Sequence, residues 1–217
     1  MEIVLDAVEA RILGALIEKE MTTPDYYPLT LNTLINACNQ KSNRQPVMAL
    51  DEEMVSQAID HLRQEKLIWQ VRTAGSRVAK YDHNIKDVAE FSKRDVAVLC
   101  VLLLRGPQTM GEIRNRTARL YEFNGLNEVE RTLDGLMTQE EGPFVVRLSR
   151  QAGRKEPRYA HLFCGEVQAE DEETEVVPVT VVREDSRLDA LEAQVEALES
   201  ELEALKRMFS EFKAQFE

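Results

Sequence analysis

The sequence predicts a mainly α chain with small β-hairpins (α+β), built as two similar units in tandem and followed by an acidic linker and a long C-terminal helix. Three observations predict it. First, the chain repeats itself: VSQAIDHL at 55–62 matches VERTLDGL at 129–136, and AGSRVAKY at 74–81 matches AGRKEPRY at 152–159. Both blocks recur in the same order, which chance does not readily supply. Second, each copy places its helical and alternating patterns in the same sequence. Third, an apolar seam runs unbroken through the last thirty residues.

In the first copy, Ala7 to Lys19 sets Val8, Ile12, Leu13, Leu16 and Ile17 at helical spacing. After TTPDYYP, Thr30 is placed to cap a second helix carrying Leu31, Leu34, Ile35 and Cys38. Asp51 caps a third, with Val55, Ile59 and Leu62 inward. LIWQVRT and RVAKYDH then alternate as two strands around Ala74-Gly75-Ser76. In the second copy, Ser92 to Leu104 gives the first helix, and VAVLCVLLL within it is apolar enough to be buried. Thr109 with Glu112 three residues later forms a capping box for the second helix. Asn127 heads the third, and FVVRLSR and RYAHLF flank the loop QAGRKEP. Three helices and a two-stranded hairpin make a winged-helix domain, so residues 1–90 and 91–165 read as two of them.

The residues that carry this pattern also carry a resemblance. TTPDYYPLTLN, NACNQKSNRQPVM, LLLRGPQTMGEIRNR, YEF, EEGPFVVRL and RYAHLFCGEV resemble the bacterial YceH-like family over about residues 1–167. That uncharacterised family is described as tandem winged-helix proteins. The resemblance implies this fold and a DNA-binding label. It implies no reaction, ligand or site.

Charge is unevenly placed. The chain has a formal net charge of −12, yet residues 1–90 carry 10 Lys+Arg against 14 Asp+Glu, and residues 91–165 carry 12 against 9. Residues 166–217 carry 5 against 16, so the acidity belongs to the tail and the overall charge does not exclude nucleic acid. Winged helices commonly place the third helix in the major groove and the hairpin on phosphates. Here the third helices present Glu52, Glu53 and Asp60 in one copy and Glu128, Glu130 and Asp134 in the other, which repel phosphates. The hairpins are the better candidates for contact with double-stranded DNA: Arg77 and Lys80 in the first, with Arg72 beside them, and Arg150, Arg154, Lys155 and Arg158 in the second. Arg114, Arg116 and Arg119 do not form one stripe, and some of them are expected to pair with neighbouring acids.

The stretch NACNQKSNRQP, residues 36–46, is rich in groups that read base edges, and Lys41, Asn43 and Arg44 are candidate nucleic-acid contacts. The competing reading is structural: Asn residues close turns and Pro46 stops helical continuation. The second copy has a shorter connection, RLYEFNG, at that place.

Catalytic and metal chemistry find little support. Cys38 and Cys100 fall on apolar faces, and His161 with Cys164 is a lone H-x-x-C, too few ligands for zinc. No Gly-rich phosphate loop occurs, and no cofactor or enzymatic activity is expected. Trp69 and Tyr81 fall in the first hairpin, where packing is the expected fate of large aromatics. The first residues lack the basic-then-apolar pattern of a signal peptide, and three scattered cysteines suit a reducing cytoplasm.

Residues 166–187 read as an acidic linker. Beyond it Leu188, Leu191, Val195, Leu198, Leu202, Leu205, Phe209, Phe212 and Phe216 alternate steps of three and four, the spacing of a coiled coil. The expected partners are therefore another copy of the chain, as a dimer, together with DNA; the alternative is an adaptor that binds other proteins and no DNA. No membrane association is expected.

Overall fold

The computed structural model describes residues 4–72, 78–149 and 156–165. The hairpin tips with Arg77, Arg150, Arg154 and Lys155, the acidic linker and the whole 188–216 seam lie outside the described residues.

Helix α1 (Ala7–Thr22) opens on a capping box in which Asp6 accepts from the backbone of Val8 and Glu9, and Glu9 reaches back to Asp6 N. A 3-10 turn (Pro24–Tyr26) leads to a two-residue strand, β1 (Leu29–Thr30), which the sequence did not reveal. Thr30 caps α2 (Leu31–Cys38), and Asp51 caps α3 (Glu52–Gln64) at Met54 N, 2.8 Å. Strands β2 (Ile68–Val71) and β3 (Lys80–His83) complete the first half. The second half repeats the order with α4 (Lys93–Arg105), α5 (Met110–Thr117), α6 (Leu126–Thr138), β4 (Val145–Arg147) and β5 (Tyr159–His161). The expected Thr109–Glu112 capping box is present.

The sheets repeat too. In the first half the strand order is β1-β3-β2, antiparallel, with Leu29 opposite Tyr81 and Ile68 opposite His83. In the second, β4 pairs with β5, and Gln108 bridges Tyr159. Tyr81 and Tyr159 are matched positions of the sequence repeat. Each pairs with the residue just ahead of a threonine N-cap, Thr30 or Thr109, so the hairpin is tied to the start of the second helix in both halves.

One continuous apolar core joins the halves. Every residue of α1 from Glu9 to Glu18 is buried, as is every residue of α4 from Ala97 to Leu104. A helix buried on every side must be covered on every side: α1 and α4 pack on each other, α2 and α3 close over α1, and α5 and α6 close over α4. Gly14 permits the approach: a Cβ there would stand 3.0 Å from Leu103 Cβ and from Leu104 Cγ and Cδ2. Cys100 Sγ lies 3.5 Å from Gly14 O at the same crossing.

Two expectations need correction. Asn127 does not head α6: Gly125 precedes the helix without a side-chain cap, and Glu128 instead accepts from Asn124 N and Tyr121 Oη at 2.9 and 2.8 Å. Trp69 is not packed away but 47% exposed, whereas Tyr81, on the middle strand, packs against the core.

Candidate functional site

The loop that follows α2 has its polar groups turned largely inward. Asn39 clamps Leu50 twice, its amide nitrogen donating to Leu50 O at 2.7 Å and its oxygen accepting from Leu50 N at 2.8 Å. Asn43 adopts φ 60°, a left-handed conformation that asparagine tolerates better than most residues. The last carbonyls of α2 have no partner within the helix, and arginines supply them. Arg44 Nε and Nη2 donate to Ala37 O at 3.1 and 2.8 Å, and Arg11 Nη1 donates to Cys38 O at 3.2 Å. Arg11 Nη2 also donates to Pro46 O at 2.6 Å, and Gln45 N donates to Leu104 O, at the end of α4.

Arg44 is thereby removed from any external surface. Its side chain is fully buried and forms a two-point ion pair with Glu18 of α1, also fully buried: Nη1 to Oε1 at 3.1 Å and Nη2 to Oε2 at 2.6 Å. The expectation that Arg44 contacts nucleic acid is corrected on this geometry. A guanidinium beside a buried carboxylate has a partner that water and DNA cannot reach. Lys41, on the same loop, is exposed.

Glu18 serves a second arginine. Arg119, just beyond α5 and 43% exposed in its side chain, donates from Nη2 to Glu18 Oε1. One buried carboxylate thus ties the first half to the second. Burial pushes the Glu18 carboxyl up, but the Arg44 and Arg119 guanidiniums outweigh it and hold it below the usual carboxylate range. Asn43 adds a further tie, its Oδ1 accepting from Arg105 Nη2 at the end of α4. Arg116 pairs with Glu112 one turn back on α5, at 3.2 Å. Burial lowers the Arg105 pKa, and the nearby charges of Arg116, Arg119 and Arg44 lower it further.

The remaining candidates lie on the hairpins. Lys80 begins β3, half-exposed, opposite Val71 and Thr30. Arg158 precedes β5, where its carbonyl accepts from Leu148 N and its own Nε is enclosed without a partner. Its charge also helps hold Glu112 low. The junction itself was not anticipated from sequence. A signal for it was present: Arg11 and Glu18 interrupt an apolar helix seven residues apart, on one face, and charged groups in such a place are almost always paired.

Cys38 and Cys100 are buried thiols, and Cys164 is exposed. Burial pushes Cys38 up to about 12 and raises Cys100 as well. Burial lowers His161 to about 4. Among the described residues no cluster of His, Cys, Asp or Glu could hold a metal ion, and no helix is long and apolar enough to cross a membrane.

Comparison with known proteins gives a family. Residues 5–154 match the family model described as "Protein of unknown function, DUF480". The chain is 50% identical over 221 residues to a UPF0502 protein of Pelobacter propionicus, covering all of both chains. It is equally similar, over the same span, to a UPF0502 protein of Geobacter sulfurreducens. It is 46% identical over 200 residues to the UPF0502 protein YceH of Escherichia fergusonii, covering 90% of this chain and 93% of that one.

Proposed function

The chain belongs to the DUF480 (UPF0502) family, and from that premise we propose that it is a cytoplasmic DNA-binding protein of transcription-regulator type. In this reading it is built from two winged-helix units, contacts phosphates through its hairpins, and self-associates through its C-terminal seam. One observation carries the reading: a three-helix unit closed by an antiparallel hairpin occurs twice, and cationic residues flank both hairpins. Arg72 and Lys80 flank the first among the described residues, Arg147 and Arg158 the second, and the sequence adds Arg77, Arg150, Arg154 and Lys155 between the strands. Contact through hairpins also accommodates the acidic outer faces of α3 and α6, which would be repelled from a groove.

The test is a salt titration of duplex binding by the full chain and by an Arg154→Glu/Lys155→Glu variant. Each phosphate contact contributes a slope of roughly −0.9 to the logarithmic salt dependence. The reading expects the variant to bind more weakly and to lose about two units of slope. Unchanged binding would remove the second hairpin from the interface, and no duplex binding by the parent chain at modest salt would overturn the reading altogether.

A second reading has its own support. Glu52, Glu53 and Asp60 form an exposed acidic face on α3, and Trp69 stands 47% exposed on β2. An aromatic anchor beside an acidic helix suits a protein partner. On that reading the chain is an adaptor that does not bind DNA.

A further inference from the structure

The junction between the halves gathers more positive charge than its acids neutralise. Hydrogen bonds through Glu18 and Asn43 tie Arg44, Arg119 and Arg105 together; Arg116, three residues before Arg119, bonds Glu112 separately and its charge acts on Arg105. Arg11 adds a fifth guanidinium, buried behind Arg44 and bonded only to carbonyls. This excess sits in a chain whose net charge is −12. The two arginines on the inside, Arg11 and Arg44, are largely engaged by protein oxygens. The three on the outside are not.

Arg105 spends one N–H on the neutral amide of Asn43 and has no carboxylate partner among the described residues. Arg119 spends one on Glu18, whose charge it shares with Arg44, and leaves 43% of its side chain exposed. Arg116 faces Glu112, yet its Nη1 is enclosed with no partner at all. Like charges held together in a partly desolvated place cost free energy. Helices α4 and α5, packed on each other in the shared core, keep the backbones that carry these side chains close together. The planar fork of a guanidinium matches a phosphate oxygen pair.

We propose that Arg105 and Arg119, which flank the buried Glu18–Arg44 pair where the two halves meet, form a phosphate-binding site together with Arg116, three residues before Arg119. The ligand is a phosphate group, carried either by a nucleic-acid backbone or by a small phosphorylated molecule. The site goes beyond the hairpin reading and does not depend on it, because none of the three residues belongs to a hairpin.

The test is thermal unfolding of the full chain in inorganic phosphate against chloride at matched ionic strength. At tenfold saturation a bound anion raises Tm by about 4 °C in a protein of this size. Arg105→Gln and Arg119→Gln, each compared with its own chloride baseline, are expected to lose that rise. Arg63→Gln, on the outer face of α3, keeps it. Phosphate also stabilises proteins by exclusion from their surface, but such a rise would persist in every variant. A phosphate effect no larger than that of chloride, or one undiminished in both junction variants, overturns the site. A duplex arm then identifies the source. Loss of about one unit of salt slope in Arg105→Gln assigns the site to a nucleic-acid backbone. Unaltered duplex binding, or none by the parent chain, alongside a lost phosphate rise assigns it to a small phosphorylated ligand.

Discussion

The Glu18 carboxylate lies wholly buried beneath the Arg44 guanidinium, held by two hydrogen bonds of 3.1 and 2.6 Å that join the first helix to the loop after the second. Removing one partner of such a pair leaves an uncompensated charge inside the protein, at a cost of about 3 kcal/mol. Arg44→Met is therefore expected to lower Tm by about 9 °C. Arg119 still faces Glu18 and keeps the loss at the low end of the range. Glu18→Leu combined with Arg44→Met removes both charges and is expected to recover much of that loss. A double variant no more stable than Arg44→Met would show that the pair is not the unit that matters.

Gly14 tests the α1–α4 crossing, and Gly135 on α6 is its control. Replacing a helical glycine by alanine normally stabilises by up to about 1 kcal/mol. At Gly14 the new Cβ meets Leu103 Cβ at 3.0 Å, an atom fixed to a helix backbone, and overpacking of that kind costs roughly 1–3 kcal/mol. At Gly135, exposed on α6, nothing lies within 4 Å. Gly14→Ala is expected to destabilise by about 1 kcal/mol and Gly135→Ala to stabilise by about 0.5 kcal/mol, both read from urea unfolding.

The contrast between that crossing and the polar junction explains what the sequence could reveal. Local patterns showed all six helices and the four hairpin strands, because each pattern depends on residues within a few positions of one another. Thr30, Asp51 and the Thr109–Glu112 pair were legible as caps for the same reason. Strand β1 was not, since two residues cannot alternate. The junction escaped because its bonds span long separations: Glu18 meets Arg44 across 26 positions and Arg119 across 101. Arg44 looked like a reader of DNA because a guanidinium suits base edges, carboxylates and carbonyls equally well. Only the fold decides which of these it meets.

His161 sets a pH dependence. Its ring has an ordinary value of 6.5 and is lowered to about 4 by burial, so between these values the unfolded chain binds the proton and the folded one does not. Stability is thus fully present above 6.5, falls as pH drops towards 4, and loses nothing further from this group below that. Allowing for the partial exposure of the ring, the loss amounts to about 2 kcal/mol. The Glu18 carboxylate is held low and acts in the next window, its contribution disappearing as pH falls below the usual carboxylate range. Unfolding measured at pH 7, 5.5 and 4.5 should show the first loss in the parent chain and not in His161→Phe. Equal slopes in the two proteins would assign it elsewhere.

The seam beyond the described residues makes a separate prediction. Leu198 and Leu202 are consecutive positions of the apolar pattern, so if the chain self-associates as proposed, a charge at each would be buried between copies. Leu198→Asp/Leu202→Asp is expected to convert a dimer to a monomer in sedimentation equilibrium, with little change in the melting of the body. A parent chain that sediments as a monomer at all concentrations would rule out self-association.

Charge reversal on α3 separates the two functional readings. Glu52 and Glu53 lie in the first turn of that helix, exposed, where they complement the helix dipole. If the hairpins alone touch DNA, α3 stands away from the phosphates, and at physiological salt charges beyond about 8 Å are screened. Glu52→Lys/Glu53→Lys then changes duplex affinity less than about threefold and leaves the salt slope as it was. If α3 enters the groove instead, two new cations beside phosphates raise affinity more than about tenfold and steepen the slope by about two. An adaptor shows neither effect, because its parent chain does not bind the duplex; there the same reversal abolishes docking of a basic partner surface. The hairpin reading requires the first result. A steepened slope would move the DNA contact from the hairpins to α3, against the repulsion that its native acids impose.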